Sequence, residues 1–162
     1  MKTDSRFFIG EFLVTMDSDH RLTLPQEFQP GIQAVESETW VLSKESAGAL
    51  RLWSSRAWEA RVEGGLTKLA ADMQAAQTPT ELDEAQRLVR LLSARSARVK
   101  VSPKGRMTIP AECRDFLAIK VPGNCVIVGS GVAIEIWQPD QWHDYLKQEI
   151  GNFAALFEKL TT

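Results

Sequence analysis

Two segments of the chain place an arginine directly after a short polar turn. The first is Asp17-Ser18-Asp19-His20-Arg21 and the second is Ser102-Pro103-Lys104-Gly105-Arg106. Turn residues of these types between strand-like segments predict hairpin loops. An arginine on the strand after such a loop can meet a phosphate or a guanine edge with two hydrogen bonds. The spacing also allows a purely structural interpretation, in which Asp17 forms an Asx-turn and Arg21 closes an internal ion pair.

The residue types and their spacing predict neither an enzyme active site nor a metal site. The two cysteines, Cys113 and Cys125, and the two histidines, His20 and His143, lack the close pairing that zinc ligands need. The sequence contains no phosphate-binding loop, dinucleotide-binding fingerprint or nucleophile elbow. We therefore expect a protein that is not an enzyme and that holds no metal or cofactor.

The chain also lacks the patterns of membrane and secreted proteins. Its longest uncharged stretch, 121–134, is too short and too rich in glycine to span a bilayer. Glu11 interrupts the only apolar run near the N-terminus, so no signal peptide is predicted. We expect a reduced, cytoplasmic protein without membrane contact.

The two turns belong to an internal repeat with an offset of about 85 residues. Arg21-Leu22-Thr23-Leu24-Pro25 aligns with Arg106-Met107-Thr108-Ile109-Pro110. Further along, Leu50-Arg51-Leu52-Trp53 aligns with Ile134-Glu135-Ile136-Trp137, and a second tryptophan follows each of these segments after five residues. These tryptophans repeat at the junctions between a strand and a helix. We therefore expect them in the core or at subunit contacts rather than stacked on bases.

Each repeat has the pattern of short strands followed by a helix. Alternating apolar residues predict half-buried strands at 21–24, 98–101 and 132–137. Continuous apolar runs predict fully buried strands at 40–42 and 125–128.

Helical periodicity follows each set of strands. Apolar residues at intervals of three and four run from Trp58 through Leu66 to Ala76, weakened at Gly64-Gly65, and a second helix begins with the capping pattern Thr78-Pro79-Thr80-Glu81. A third amphipathic helix is predicted from Trp142 to Leu160. The predicted organisation is a first repeat at 7–55, connecting helices at 56–96, a second repeat at 97–139 and a C-terminal helix at 140–162.

The size of the repeats predicts how they combine. One β-unit of about 45 residues is at the lower limit for an independent core. Two such units would bury more apolar surface by packing together. The predicted fold is therefore α+β, with both β-repeats in one pseudo-symmetric barrel.

Charge is distributed unevenly along the chain. The net charge of −2 and the isoelectric point near 5.7 exclude a uniformly basic surface. The segment from Arg87 to Arg114, however, carries eight basic residues and one acidic residue, Glu112. A basic stripe of this kind suits phosphate binding. The alternative is a solvated helix face running into a strand, an interpretation that fits Arg87 and Arg90 best.

The duplicated Asp-x-x-x-Arg turn, followed by hydrophobic-x-hydrophobic-Pro, resembles the MraZ family of bacterial transcriptional regulators. The opening segment Phe8-Ile9-Gly10-Glu11-Phe12 and the tryptophan-bearing ends of the two repeats are similar to that family as well. The resemblance covers nearly the whole chain.

This resemblance implies a fold and a function. The fold would contain two AbrB-like (SpoVT-AbrB) swapped hairpins, and the chains would assemble into a ring-like homo-oligomer. The protein would bind double-stranded DNA at tandem direct repeats upstream of the division and cell-wall gene cluster, usually as a repressor. It would be cytoplasmic and associated with the nucleoid.

The resemblance also implies site residues, with some departures from the family pattern. Asp19 and His20 stand where the family usually has Lys and Gly, and Ser102 replaces the aspartate of the second turn. A serine can still accept a turn hydrogen bond. The predicted DNA-binding residues are Arg21, Arg98, Lys100, Lys104 and Arg106, and the predicted loop-orienting residues are Asp17, Ser102 and Gly105.

Two alternatives remain open at this point. The acidic first turn is also consistent with an oligomeric interaction module that has the same fold but does not bind DNA. An AbrB-like antitoxin is the other alternative.

Overall fold

The computed structural model describes residues 7–45, 48–75 and 77–162. Ala76 and the side chains of Leu66 and Glu81, which belong to the predicted helical patterns, lie outside this description. The strands are β1 Phe8–Met16, β2 Arg21–Thr23, β3 Thr39–Lys44, β4 Leu50–Ser54, β5 Ser96–Lys100, β6 Arg106–Thr108, β7 Gly123–Gly131 and β8 Ala133–Trp137. The α-helices are α1 Gln29–Gln33, α2 Ser55–Trp58, α3 Gly64–Ala75, α4 Pro79–Ala94, α5 Ala111–Leu117, α6 Pro139–Glu149 and α7 Phe153–Thr161.

The strands form two antiparallel sheets that interleave the repeats. The larger sheet has the order β1-β7-β8-β4-β3-β5, and the smaller pairs β2 with β6. When each strand is replaced by its counterpart in the other repeat, the larger order reads the same backwards. The internal repeat is therefore a pseudo-twofold relationship in space, and the predicted α+β class is confirmed.

The six-stranded sheet is open, which corrects the predicted barrel in one respect. Among the described residues, β1 and β5 lie at its two edges and do not pair with each other. Each edge strand instead turns sharply into the short strand that follows it. The short strands β2 and β6 pair with each other and form the separate two-stranded sheet.

The main hydrophobic core combines residues of both sheets and of both repeats. Leu22 of β2 and Met107 of β6 face each other and are both 4% exposed. Burying a side chain of this size stabilises the fold by roughly 1.5–3 kcal/mol. Because side chains alternate along a strand, this burial turns the residues on either side of Leu22 and Met107 outward.

The repeated tryptophans occupy equivalent positions in the two halves. Trp53 packs edge-to-face on Trp58 with ring centroids 6.2 Å apart, and Trp137 packs on Trp142 in the same way at 5.1 Å. Three of the four are buried, and Trp58 is half-buried. Within the chain they are core residues, as their repetition predicted.

The helices differ from the predicted pattern at two glycine sites. A π-helical turn, Glu59–Glu63, separates α2 from α3, which begins at Gly64. The predicted C-terminal helix is divided into α6 and α7 by a 3₁₀ turn around Gly151. None of the helices in the described ranges is long and apolar enough to cross a membrane.

Candidate nucleic-acid interface

The two-stranded sheet presents four polar side chains to solvent. Arg21 lies opposite Thr108 and Thr23 lies opposite Arg106, and all four are exposed. The central pair of the register faces the core. The apolar centre thus anchors the sheet, and both arginines are held on its outer side.

The turns that precede the two arginines have the same backbone hydrogen bonds. Asp17 N–H donates to the Arg21 carbonyl at 2.9 Å, and Ser102 N–H donates to the Arg106 carbonyl at 3.0 Å. The side chains at the first turn position also act alike. Asp17 Oδ1 accepts from Arg21 N–H at 2.9 Å, and Ser102 Oγ accepts from Arg106 N–H at 3.0 Å. A serine therefore replaces the aspartate as a turn acceptor without changing the loop.

Each turn is also bonded to the opposite repeat. Leu24 N–H donates to the Gly105 carbonyl at 2.8 Å, and Ile109 N–H donates to the His20 carbonyl at 2.9 Å. His20 and Gly105 both have left-handed backbones, with φ of 61° and 85°. Glycine adopts this conformation freely, whereas histidine adopts it at some cost. The reciprocal bonds fix the two turns relative to each other.

In the first turn, carboxylates surround the arginine. Arg21 Nε lies 3.1 Å from Asp17 Oδ2, and an Arg21 terminal nitrogen lies 3.0 Å from Asp19 Oδ2. Asp17 also accepts from Asp19 N–H at 2.9 Å, which completes an Asx-turn. The backbone N–H of Arg21 is the main cause that lowers the pKa of Asp17, and the Asp19 N–H and the guanidinium act in the same direction. The Asx-turn and the internal ion pair of the purely structural interpretation are therefore both present in the chain.

A surface groove of about 690 Å³ gathers most of the predicted contact residues. Arg21, Arg98, Lys100 and Arg106 all line it, together with Asp17. Lys104 is exposed in the second turn and does not line the groove.

The second repeat supplies the uncompensated charge at this groove. Within the described part of the chain, no carboxylate lies within ion-pair distance of Arg98, Lys100 or Arg106. The position equivalent to Lys100 in the first repeat is Thr15, and the position equivalent to Arg98 is Leu13. The groove therefore carries its free positive charge on one side of the pseudo-twofold axis.

Other arginines of the basic segment are engaged elsewhere. Arg87 pairs with Asp83 one helical turn away, Arg95 donates to the Lys44 carbonyl, and Arg114 donates to the Ile109 carbonyl. The basic segment of the sequence thus divides into three groove residues, one turn lysine, three arginines engaged elsewhere and Arg90, which is exposed on α4.

Two glutamines that hold the second turn were not predicted from the sequence. Gln29 Nε2 donates to the Lys104 carbonyl at 3.3 Å, and Gln33 Nε2 donates to the Pro103 carbonyl at 3.1 Å. Both come from the region of α1 in the first repeat, more than 65 residues away in sequence. No local pattern indicates such a contact. By contrast, the exposure of Thr23 and Thr108 can be predicted from the sequence, because strand alternation places them on the same outer face as the arginines.

Fold and site together define a tandem-repeat α+β protein with two equivalent, interlocked arginine-bearing turns around one groove. Residues 94–162, from the end of α4 through the second repeat to the C-terminus, match the family described as "MraZ protein, putative antitoxin-like". The chain is similar over 94% of its length to the "Transcriptional regulator MraZ" of Leuconostoc citreum, at 27% identity and 96% coverage of that relative. The proteins of the same name from Pelotomaculum thermopropionicum and Lactiplantibacillus plantarum are each 28% identical, with 94% and 97% of their lengths covered. These matches confirm the predicted resemblance to the MraZ family.

Proposed function

We propose that this protein is a DNA-binding transcriptional regulator of the MraZ type. The observation that carries the proposal is the groove at the two-stranded sheet, where Arg98, Lys100 and Arg106 lie together without carboxylate partners among the described residues. Contacts to phosphates supply most of the nonspecific affinity of DNA-binding proteins. An arginine held at the edge of a rigid turn can in addition read a guanine.

The targets we propose are tandem direct repeats in double-stranded DNA upstream of the division and cell-wall gene cluster. The protein would act there as a repressor, in the cytoplasm and in association with the nucleoid. The support is the similarity to relatives named "Transcriptional regulator MraZ" and the resemblance of the repeated turns to that family. We also propose that the interleaved repeats form an AbrB-like swapped-hairpin unit, a proposal supported by the pairing of β1 with β7 and of β3 with β5.

A homo-oligomeric ring is part of this proposal. Helix α7 and the 3₁₀ turn before it expose an apolar stripe that no described part of the chain covers, formed by Ile150, Phe153, Leu156, Phe157 and Leu160. The edge strand β1 exposes two further aliphatic side chains, Ile9 at 80% and Leu13 at 65%. Exposed apolar surface of this extent is typical of subunit interfaces. Linked subunits that engage consecutive DNA repeats would raise the affinity through effective concentration, so no single subunit needs to be strongly basic.

The test is DNA binding as a function of salt. Fluorescence anisotropy with labelled duplex from upstream of the protein's own gene should show binding that weakens steeply between about 50 and about 200 mM salt. A duplex in which one of the direct repeats is scrambled should bind more weakly. Equal affinity for both duplexes, or no binding at about 50 mM salt, would contradict the proposal.

A second candidate function rests on the first turn. Because Asp17 and Asp19 neutralise Arg21, half of the pseudo-symmetric surface offers no free positive charge at the turn. This observation favours an oligomeric interaction module that has the same fold without DNA binding. Rings in analytical ultracentrifugation, combined with no DNA binding at low salt, would support that candidate. The antitoxin variant would require a toxin gene beside this one.

A further inference from the structure

The two-stranded sheet has a local twofold axis at its centre. Leu22 pairs with Met107 there, and Arg21 and Arg106 lie at equivalent places on either side of that pair. Rotation by half a turn about the central pair therefore exchanges the two turns that end at these arginines. A protein surface with twofold symmetry matches a palindromic DNA element, because the symmetry of the element mirrors that of the protein.

The backbones of the two turns obey this symmetry. The side chains of Asp17 and Ser102 accept equivalent hydrogen bonds from the arginine N–H groups, at 2.9 and 3.0 Å. The carbonyls of His20 and Gly105 accept equivalent bonds from the opposite repeat, at 2.9 and 2.8 Å. The shape of the backbone therefore gives neither turn an advantage as the part that contacts DNA.

The charges of the side chains break the symmetry, always in the same direction. The first turn contains two aspartates and one arginine, a net charge of −1 with its histidine neutral, whereas the second contains one lysine, one arginine and no acid, a net charge of +2. The strands that lead into the turns add to this difference. Arg98 and Lys100 are exposed on β5, where the equivalent positions of β1 hold Leu13 and Thr15. The second repeat is therefore the cationic half of the pseudo-symmetric surface.

Phosphates convert this difference in charge into a difference in binding energy. Each phosphate that a lysine or arginine neutralises releases counterions, which favours binding. The side chains of Asp17 and Asp19 are 47% and 70% exposed, so the first turn keeps two carboxylates at the surface that repel phosphates. The chain therefore has one favourable orientation on a duplex rather than two of equal energy.

We propose that each chain binds one non-palindromic DNA element in a single orientation, with the second turn and β5 against the DNA and the first turn outside the phosphate contacts. This inference rests on the proposed DNA binding and adds a polarity to it. Tandem direct repeats, rather than inverted ones, are the arrangement that such chains require when neighbouring subunits are related head to tail.

The test compares labels at two equivalent, exposed positions, Ser18 in the first turn and Pro103 in the second. Full-length Ser18→Cys and Pro103→Cys proteins each carry a tethered iron–EDTA group, which cuts the DNA nearest to it. Pro103 is held through its carbonyl oxygen, which the cysteine keeps. The native Cys113 and Cys125 are 1% and 0% exposed, so wild-type protein treated with the same reagent is the control for labelling.

The probe is duplex DNA from upstream of the protein's own gene that carries the direct repeats. We expect Pro103→Cys to cut strongly near one end of each repeat, and Ser18→Cys to cut weakly and closer to the other end. Reversing the direction of each repeat in the duplex should exchange the two ends. Asp19→Lys combined with Ser18→Cys should strengthen the weak cuts, because it gives the first turn the lysine of the second. Asp72→Lys, the same change in charge on α3, should leave them weak.

Cuts of equal strength and identical position from the two labels would overturn the proposal, since they show binding in both orientations, while DNA binding itself would stand. Stronger cuts from Ser18→Cys than from Pro103→Cys would overturn it as well. Anisotropy measures the affinity of each labelled protein: loss of binding in Pro103→Cys alone agrees with the proposal, and loss in Ser18→Cys alone contradicts it. If the wild type does not bind the duplex at about 50 mM salt, the proposed DNA binding fails together with this inference.

Discussion

Arg21 and Arg106 occupy equivalent positions in the two-stranded sheet, but only Arg21 is held by carboxylates. Arg21 pairs with Asp17 and Asp19 at 3.1 and 3.0 Å, whereas Arg106 has no acidic partner among the described residues. The difference arises from the turn sequences, since Ser102 and Lys104 stand where the first turn has the two aspartates. One fold thus presents a neutralised arginine and a free one at the same groove.

Arg106→Ala should weaken binding to the upstream duplex more than Arg21→Ala does. A well-placed bidentate arginine contributes roughly 1–3 kcal/mol, which corresponds to about tenfold or more in affinity. Arg21 must break its ion pairs with Asp17 and Asp19 before it can contact DNA, so Arg21→Ala should reduce the affinity less. Anisotropy titrations measure both, and Arg87→Ala on α4 is the control because Arg87 is paired with Asp83 outside the groove. Unchanged affinity of Arg106→Ala would remove this residue from the interface.

Asp19→Lys should strengthen DNA binding, because it gives the first turn the residue that the second turn has at Lys104. The change removes one carboxylate from Arg21 and leaves the Asp17 turn bonds in place. Each added phosphate contact should steepen the salt dependence by about 0.9 in the log–log slope. Asp72→Lys makes the same change in charge on exposed helix α3. If both variants gain affinity equally, net charge rather than the turn explains the effect.

Asp17 should make the stability of the protein depend on pH in the acid range. Its pKa in the folded state lies below the ordinary value of 3.8, mainly because the Arg21 backbone N–H donates to the carboxylate. The ionised group therefore stabilises the fold above pH 3.8, and this contribution is lost as the pH falls through the lowered pKa. We expect the difference in unfolding free energy between wild type and Asp17→Ser to shrink from about pH 6 to about pH 2.

Ser102→Ala is the control for that experiment. Ser102 accepts the equivalent bond from Arg106 N–H but does not titrate. Its loss should destabilise the protein equally throughout the same pH range, as measured by urea denaturation. A pH-independent effect of Asp17→Ser would show that the charge of Asp17 does not contribute to stability.

Gly105→Ala should destabilise the fold by roughly 1–3 kcal/mol. The glycine has φ of 85°, and an added Cβ would lie 3.2 Å from Leu24 Cβ in the opposite repeat. Gly64→Ala is the matched control: this glycine is helical with nothing within 4 Å of an added Cβ. The helix propensity of alanine should stabilise that variant by about 0.5–1 kcal/mol. We expect the midpoint of thermal unfolding to fall in Gly105→Ala and to rise in Gly64→Ala.

Arg51→Ala should cost more stability than the loss of a surface ion pair. Arg51 and Glu135 are repeat counterparts that face each other across β4 and β8, with Arg51 Nη2 2.8 Å from Glu135 Oε2. Glu135 is only 12% exposed, so removal of the guanidinium leaves a mostly buried carboxylate. We expect a loss of about 2–3 kcal/mol in urea denaturation. Arg87→Ala, which breaks an exposed pair, should lose about 0.5 kcal/mol or less. Similar losses in the two variants would contradict this view of the central pair.

Local patterns predicted some elements better than others. The strands around Leu22, Val99 and Ile134 were predicted within two residues, because alternation and turn residues act over short distances. Strand β1 was not predicted, although Phe8, Phe12 and Met16 follow the alternation of its inward face. The short helix α5 was missed as well, since seven residues carry too little periodicity.

The sequence by itself determined that the chain is duplicated, where its two arginine turns lie and which turn is acidic. These properties depend on residue identity and on neighbours within a few positions. Only the tertiary structure decided that β1 pairs with β7 and β3 with β5, and that the large sheet stays open at its edges. It also placed Arg98 and Lys100 beside Arg21 and Arg106 in one groove. Pairings between residues about 50 to 125 positions apart depend on burying both repeats in one core, a requirement that local spacing does not encode.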